Sequence, residues 1–257
     1  NMLRTEYYLW KAKRLGGGNA ALSTAQSSVD AVLKAGYALL PTFADIFNLN
    51  NEANSELIWT LPYIVNENVT PGTSPNFFAY YLAPNGDRTR LREAGYTEDE
   101  VPAGSHAQYV VPTQAYCDFL AEDARDTRTD VSVRVFEDKF LTEEVQIKRM
   151  VVKFKGSFAN DTRSFDSDVP VYRLAEAYLL KAEVENALGN TDAALQNLNV
   201  VAKRAYGVDN YYTARTQDAI DNAIISEILK EFVAESKAWW AYLRFNKEFE
   251  LIETLKG

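Results

Sequence analysis

VPVYRLAEAYLLKAEVENALGNTDAALQNLNVVAKRAYG, residues 169–207, decides the fold. It reads as two amphipathic helices broken at Leu188-Gly189-Asn190, because glycine and asparagine end helices and small polar residues open them. A diluted copy lies near the start, in YYLWKAKRLGGGNAALSTAQSSVDAVLKAGY, residues 7–37. Tyr8-Leu9-Trp10-Lys11-Ala12 echoes Tyr178-Leu179-Leu180-Lys181-Ala182. Downstream of each tyrosine comes a small residue, Ala25 or Ala194, followed at i+4 and i+7 by Val29 and Val32 or by Leu198 and Val201. A recurring helix–turn–helix unit of this kind marks a tetratricopeptide-like array. One such hairpin cannot bury its own apolar face and must stack on neighbours. The helical part is therefore a scaffold, and function is sought in what it displays.

Periodicity divides the 257 residues into three zones within one expected domain. The first, about 1–60, is helical at its start and ends in the short apolar run Leu57–Leu61, which fits a buried strand or a turn of helix. Leu3, Tyr7 and Trp10 are already in helical register, so the chain reads as a piece of something longer. The second zone, 62–168, holds six of the eight prolines, interleaved with Gly72, Gly86, Gly95 and Gly104. Such punctuation predicts irregular chain. Its tyrosines and phenylalanines argue against disorder. Val131, Val133 and Val135 alternate with polar residues, and Met150 to Phe154 is a second β-branched run, so the two are expected to pair as strands. The third zone, 169–250, is helical again, with Asp168 and Pro170 expected as a cap and a first-turn proline. Ala175, Leu179, Ala182 and Leu188 mark one inward face, and Ile220, Ile224, Ile228 and Phe232 another. Of the neighbouring Trp239 and Trp240, about 100° apart on a helix, at least one is expected to pack inward. Trp10 and Trp59 are expected in the core. The fold class is thus mainly α: tetratricopeptide-like hairpins, a long irregular region and a few short strands.

Charge and composition narrow the function. A net charge of −9 disfavours phosphate-backbone binding, so no nucleic-acid partner is expected. No window approaches the roughly 18 apolar residues of a membrane span. A single cysteine, Cys117, excludes an internal disulfide framework and reads as a buried small hydrophobe. His106 is the only histidine, leaving little from which to build a zinc site or a Ser-His-Asp triad. Asp166 and Asp168 have D-x-D spacing without the glycine and distal glutamate of a calcium loop, and a cap and a turn explain them better. Gly16-Gly17-Gly18 joins two helices and is followed by no Lys-Ser/Thr, so it is no phosphate cradle. No catalytic residue, metal or cofactor is expected.

The segments together resemble the SusD/RagB family, the surface nutrient-binding lipoproteins of Bacteroidetes outer membranes. YYLWKAKRLGGG and AGYALLPTFADIFNLNNEANSELIWTL look like the family's middle helices and the segment after them. PTQAYCDFLAEDARDTRT resembles its aromatic-bearing helix followed by Asp-x-Arg. DSDVPVYRLAEAYLLKAE is similar to its most recognisable motif, and EILKEFVAESKAWWAYLRF to its near-C-terminal one. Four blocks in order span most of the chain. Ser236, Ala238 and Ala241 stand where the family usually has glycine, arginine and aspartate. Family members are typically about twice this length, so the resemblance implies the C-terminal portion of a member, with the lipidated N-terminal cysteine on the part not present.

The resemblance implies a non-catalytic protein at the cell outer membrane, surface-exposed, that takes up oligosaccharide or polysaccharide and passes it to a SusC-like TonB-dependent transporter. It implies contact with the membrane only through the lipid anchor of the absent N-terminal part. A glycan site needs flat aromatic faces for C–H/π stacking and planar polar groups for hydroxyls. The loop zone offers Asn76, Phe77, Phe78, Tyr80, Tyr81, Arg88 and Arg90 as ligand-binding candidates. Large rings also simply hold long loops down, which is the competing account of each. Two other classes compete: a tetratricopeptide-like adaptor for peptide, against which the long aromatic-rich loop zone speaks, and a glycoside hydrolase, which needs two carboxylates at suitable separation in one cleft.

Overall fold

A computed structural model describes residues 1–73, 77–84, 87–104, 107–138 and 146–251, the side chains of Phe77, Ala79 and Leu251 excepted. In chain order, α1 (Met2–Arg14) and α2 (Gly18–Leu33) form a first hairpin. β1 (Leu57–Leu61) follows, then a 3-10 turn at Phe77–Tyr81, and the short helices α3 (Arg88–Glu93), α4 (Gln114–Leu120) and α5 (Thr129–Ser132). Next come β2 (Val133–Asp138), β3 (Gln146–Val151), β4 (Ser157–Ala159), β5 (Thr162–Ser164) and β6 (Val169–Arg173). The chain then runs through α6 (Leu174–Ala187), α7 (Thr191–Tyr206), α8 (Gln217–Glu231), α9 (Ala238–Arg244) and α10 (Glu248–Leu251).

These elements separate into two compact units, residues 1–42, 54–59 and 170–257 in one and residues 43–53 and 60–169 in the other. In the helical unit α2 packs on α6, and α8 lies against both α6 and α7. The echo read from the sequence is kept in three dimensions. Ala25, Val29 and Val32 are buried in the first hairpin, as Ala194, Leu198 and Val201 are in the second, and so are Leu9 and Leu179. Ala175, Leu179, Ala182, Ile220, Ile224, Ile228 and Phe232 share one core cluster. Gly189 (φ +82°) and Gly207 (φ +68°) take left-handed backbone just after α6 and α7, which most other residues resist.

Three local expectations fail. Residues 169–173 form a strand, not the first turn of a helix, and α6 begins only at Leu174. Pro170 lacks the N–H a ladder uses, which a strand in a two-stranded sheet tolerates. Trp59 is 55% exposed, because the alternation of β1 turns it outward beside Tyr172 (ring centroids 6.2 Å apart). Trp239 and Trp240 are both exposed, and Trp240 makes an edge-to-face contact with the half-buried Trp10 at 6.3 Å.

The irregular unit owes its order to short hairpins and side-chain ties. β2 and β3 pair antiparallel, Val133 opposite Val151 and Arg134 opposite Met150, as the two β-branched runs predict, although Val131 lies in α5. β4 and β5 form a second small hairpin. After α4 come two Asp-x-Arg pairs. Asp126 grips Arg128 through Nε (2.8 Å) and Nη2 (2.7 Å) with both buried, while Asp123 and Arg125 repeat the grip at the surface.

Candidate functional site

The site is built where the 3-10 turn Phe77–Tyr81 meets the extended segment 107–111, within the irregular unit. The N–H groups of Tyr109 and Val110 both donate to the carbonyl of Tyr80 (3.0 and 3.1 Å). The Gln108 amide donates to the carbonyls of Tyr81 (2.9 Å) and Arg149 (2.8 Å). Pinned this way, Tyr109 stands 74% exposed with its ring 5.2 Å from that of the half-buried Tyr80. Val110 and Val111 extend the exposed apolar strip.

The other aromatic candidates of this turn do different things. Phe78 is only 2% exposed and stacks on Phe154 at 4.2 Å, so it anchors the turn and presents no face to a ligand. Tyr81 packs beside Phe78, and burial pushes its hydroxyl above the usual tyrosine pKa. Asn76 and the side chain of Phe77 lie outside the described residues.

Arg88 and Arg90 prove to be internal braces. Arg88 donates to Glu98 (2.7 Å) and to the carbonyls of Ala103 and Asp161. Arg90 pairs with Asp87 (3.0 Å) and Asp138 (3.2 Å). Charges matched inside the chain in this way position loops and have little left for a sugar hydroxyl.

Beside the tyrosines opens a cleft of about 410 Å³ lined by Asp87, Gln108, Val111, Asp138, Lys148 and Arg149, among others. Gln108 and Val111, on either side of Tyr109 in the chain, line it, while the Tyr80 and Tyr109 rings are not part of its wall. Arg149 is oriented by donating Nε to the Pro112 carbonyl (2.9 Å) and Nη1 to Gln114 (3.2 Å). The cleft thus gathers planar amide, guanidinium and carboxylate groups on the segment that also carries the exposed Tyr109. Sequence reasoning singled out Tyr80 but missed Tyr109, Gln108 and Arg149. The run Tyr109-Val110-Val111 before Pro112, an apolar run in a loop zone, is the signal that could have found them.

A second, larger cleft of about 620 Å³ lies in the same unit, between the segment around Phe47 and the turn carrying Phe158. Arg163 lines it, bonded to Glu98 (2.7 Å) and the Ala103 carbonyl (2.8 Å). Burial lowers the pKa of its guanidinium, opposed by Glu98. Lys155 lies 2.8 Å from Asp99 and holds that carboxyl below the usual range by hydrogen bond and charge.

The residues that the sequence singled out for chemistry have structural tasks here. Cys117 is buried, and its thiol pKa is pushed up by desolvation, the opposite of an activated nucleophile. Asp166 accepts hydrogen bonds from the Ser157 N–H and hydroxyl (2.7 Å each), and Asp168 accepts from the Tyr63 N–H (3.1 Å), so the D-x-D pair closes turns. No group of three or more potential metal ligands occurs among the described residues. His106 lies outside them.

Residues 137–255 match the SusD family. SusD-like protein P25 of Formosa agariphila is 27% identical over 246 residues, covering 86% of this chain and 45% of its own length. A SusD superfamily protein of Bacteroides fragilis superposes with a TM-score of 0.76 at 27% identity, over 93% of this chain and 51% of its own. The chain is similar to SusD-family proteins in sequence and in fold. It spans about half the length of these relatives. Surface glycan-binding protein A of Bacteroides thetaiotaomicron, at 19% identity and a TM-score of 0.61, has the same fold over 89% of this chain and 50% of its own length.

Proposed function

We propose that this chain is the glycan-holding part of a non-catalytic nutrient-binding protein of the outer membrane. Its partners are an oligosaccharide and a SusC-like TonB-dependent transporter that receives it. The whole protein sits at the cell surface on a lipid anchor. The observation that carries the reading is the exposed Tyr109 ring beside Tyr80, on the segment whose Gln108 lines a cleft with Asp138 and Arg149. A flat ring offers a stacking face to the C–H groups of a pyranose, and the amide, guanidinium and carboxylate offer planar partners to its hydroxyls. The name of the glycan-binding relative from Bacteroides thetaiotaomicron supports the same class of ligand. Reversible capture suits such a site better than hydrolysis, because the carboxylates Asp87 and Asp138 are both tied to Arg90. An adaptor for peptide has no use for this exposed aromatic pair.

The test is a glycan array followed by calorimetry on the best neutral oligosaccharide. Replacing Tyr80 and Tyr109 together with alanine is expected to weaken binding by roughly tenfold or more, the loss of about 1–2 kcal/mol of stacking and ring desolvation. Unfolding of the double mutant should change little, because Tyr109 is already in water. Unaltered affinity in the folded double mutant would place the sugar elsewhere. Release of reducing ends during incubation would overturn the non-catalytic reading.

A further inference from the structure

Gln108 lines the cleft of about 410 Å³ with its amide already committed. Both hydrogens of Nε2 are used inside the protein, one on the Tyr81 carbonyl (2.9 Å) and one on that of Arg149 (2.8 Å). Tyr81 ends the 3-10 turn and Arg149 lies in β3, so one side chain ties three segments together. Those two acceptors fix which way the amide is turned. Rotated by half a turn, it would set its own oxygen against two carbonyl oxygens and lose both bonds. Gln114 has both ends occupied, Nε2 donating to Asp118 (2.7 Å) and Oε1 accepting from Arg149 (3.2 Å). The Oε1 of Gln108, by contrast, accepts from no donor among the described residues. A polar atom of a half-buried side chain that lacks a protein partner takes water or a ligand instead. The backbone around it is fastened as well. The Tyr109 and Val110 N–H groups donate to the Tyr80 carbonyl, and Arg149 Nε holds the Pro112 carbonyl at 2.9 Å. A glutamine loose in water turns its amide to serve as donor or acceptor. This one offers an acceptor alone, in one place, next to Tyr109 in the chain.

We propose that Gln108 is a specificity-determining residue of the glycan site, and that a sugar hydroxyl donates its hydrogen to Oε1. The inference rests on the glycan reading and goes beyond it in naming the residue that reads the sugar and the direction of the hydrogen bond. A group that meets Oε1 must donate. A hydrogen, a fluorine, a methyl ether or an acetyl ester in place of the hydroxyl leaves Oε1 stranded. The site therefore selects an unsubstituted hydroxyl at one ring position. Sites built to bond a hydroxyl reject the analogue without it, because their own polar group is then left unpaired.

The experiment uses the 257-residue chain and calorimetry with maltotetraose, cellotetraose, laminaritetraose and β-1,4-galactotetraose, or with a neutral sugar of the array that binds more tightly. For the tightest of these, a series of analogues replaces one hydroxyl at a time by hydrogen or by fluorine. Fluorine keeps the bond polar but cannot donate. The expected result is one position at which both replacements weaken binding by about tenfold or more. In Gln108→Met, a side chain of similar length with no polar end, the unmodified sugar and both analogues at that position should bind alike. Gln108→Glu loses the two inward bonds as the methionine variant does but keeps an acceptor oxygen, and it should retain the preference for the hydroxyl. A slackened segment would instead weaken every member of the series by one factor and leave the ratios unchanged, so the ratios separate contact from support. Circular dichroism establishes that each variant is folded. An undiminished ratio in folded Gln108→Met overturns the inference, and so does loss of the ratio in both folded variants. A parent chain in which no position is penalised by both replacements overturns it without need of any variant. In these cases the glycan reading stands, provided that the alanine replacement of Tyr80 and Tyr109 weakens binding. Binding of no neutral sugar, among the four or on the array, overturns both.

Discussion

The two units use arginine differently. In the helical unit backbone carbonyls are satisfied within helices, and the arginines pair with buried glutamates. Arg173 is enclosed by Glu56 (3.0 Å), Glu231 (2.9 Å) and Glu235 (2.8 Å), and Arg204 joins the same cluster through Glu56 and Glu231. In the irregular unit few ladders exist, and Arg163 and Arg88 serve the backbone as well as a carboxylate. Arg163 donates to the carbonyls of Ala103, Lys155 and Glu98, while Arg88 donates to those of Ala103 and Asp161. The difference follows from the need to give every buried carbonyl a partner. Where periodic structure supplies it, long cations specify how helices meet. Where it does not, they stand in for the missing ladder and leave concave surfaces between the ties.

Breaking the helical side of this contrast should produce the largest effect. Arg173→Ala leaves three glutamates buried around an empty position, and the expected loss is about 3–5 kcal/mol in denaturant unfolding. A loss below about 1 kcal/mol would show that these charges are hydrated and that the contrast is false. A second measurement sharpens it through pH. Glu176 is buried in α6, and desolvation pushes its pKa up to about 7 although Lys237 opposes the shift at 2.8 Å. In the unfolded chain the same group ionises near 4.5. The folded state therefore holds the protonated form more readily, and this group's contribution to stability is lost as pH rises from about 4.5 through 7. Glu176→Gln should leave stability near pH 4.5 almost unchanged and raise it at pH 8, by an amount on the order of 2–3 kcal/mol. Melting curves of both proteins across this range decide it; a parallel offset at every pH would mean that the effect is packing and not ionisation. The smallest expected effect concerns the near-C-terminal motif. Ser236 has φ +61°, a left-handed conformation that favours glycine, and the resemblance of this segment to the SusD family leads one to expect glycine there. Ser236→Gly should stabilise by about 1 kcal/mol, and a loss of stability would mean that the serine hydroxyl holds the turn.

The helical unit was legible because burial along a helix repeats. Tyr178-Leu179-Leu180-Lys181-Ala182 and its echo at Tyr8 gave the hairpins, and Gly189 gave the break. The β2–β3 pair was legible from alternation at Val133 and Val135. Residues 169–173 were misread because a proline after an aspartate fits the first turn of a helix as well as a strand that runs straight into one. The candidate site was only partly legible. Tyr80 lies beside the exposed Tyr109 ring, but neighbouring Phe78 is an anchor, and sequence offers no period in a loop to separate the two.

What the sequence by itself determined is the array of hairpins, their inward faces and the family resemblance, all of them properties of residues near one another along the chain. What only the tertiary structure decided is which rings and charges meet water. Phe78 is covered because Phe154 stacks on it, Tyr109 is exposed because Gln108 and the Tyr80 carbonyl pin its backbone, and Arg134 and Lys153 line one cleft with Phe47. Exposure in an irregular region is set by contacts between residues far apart in sequence, and local propensity carries no information about them.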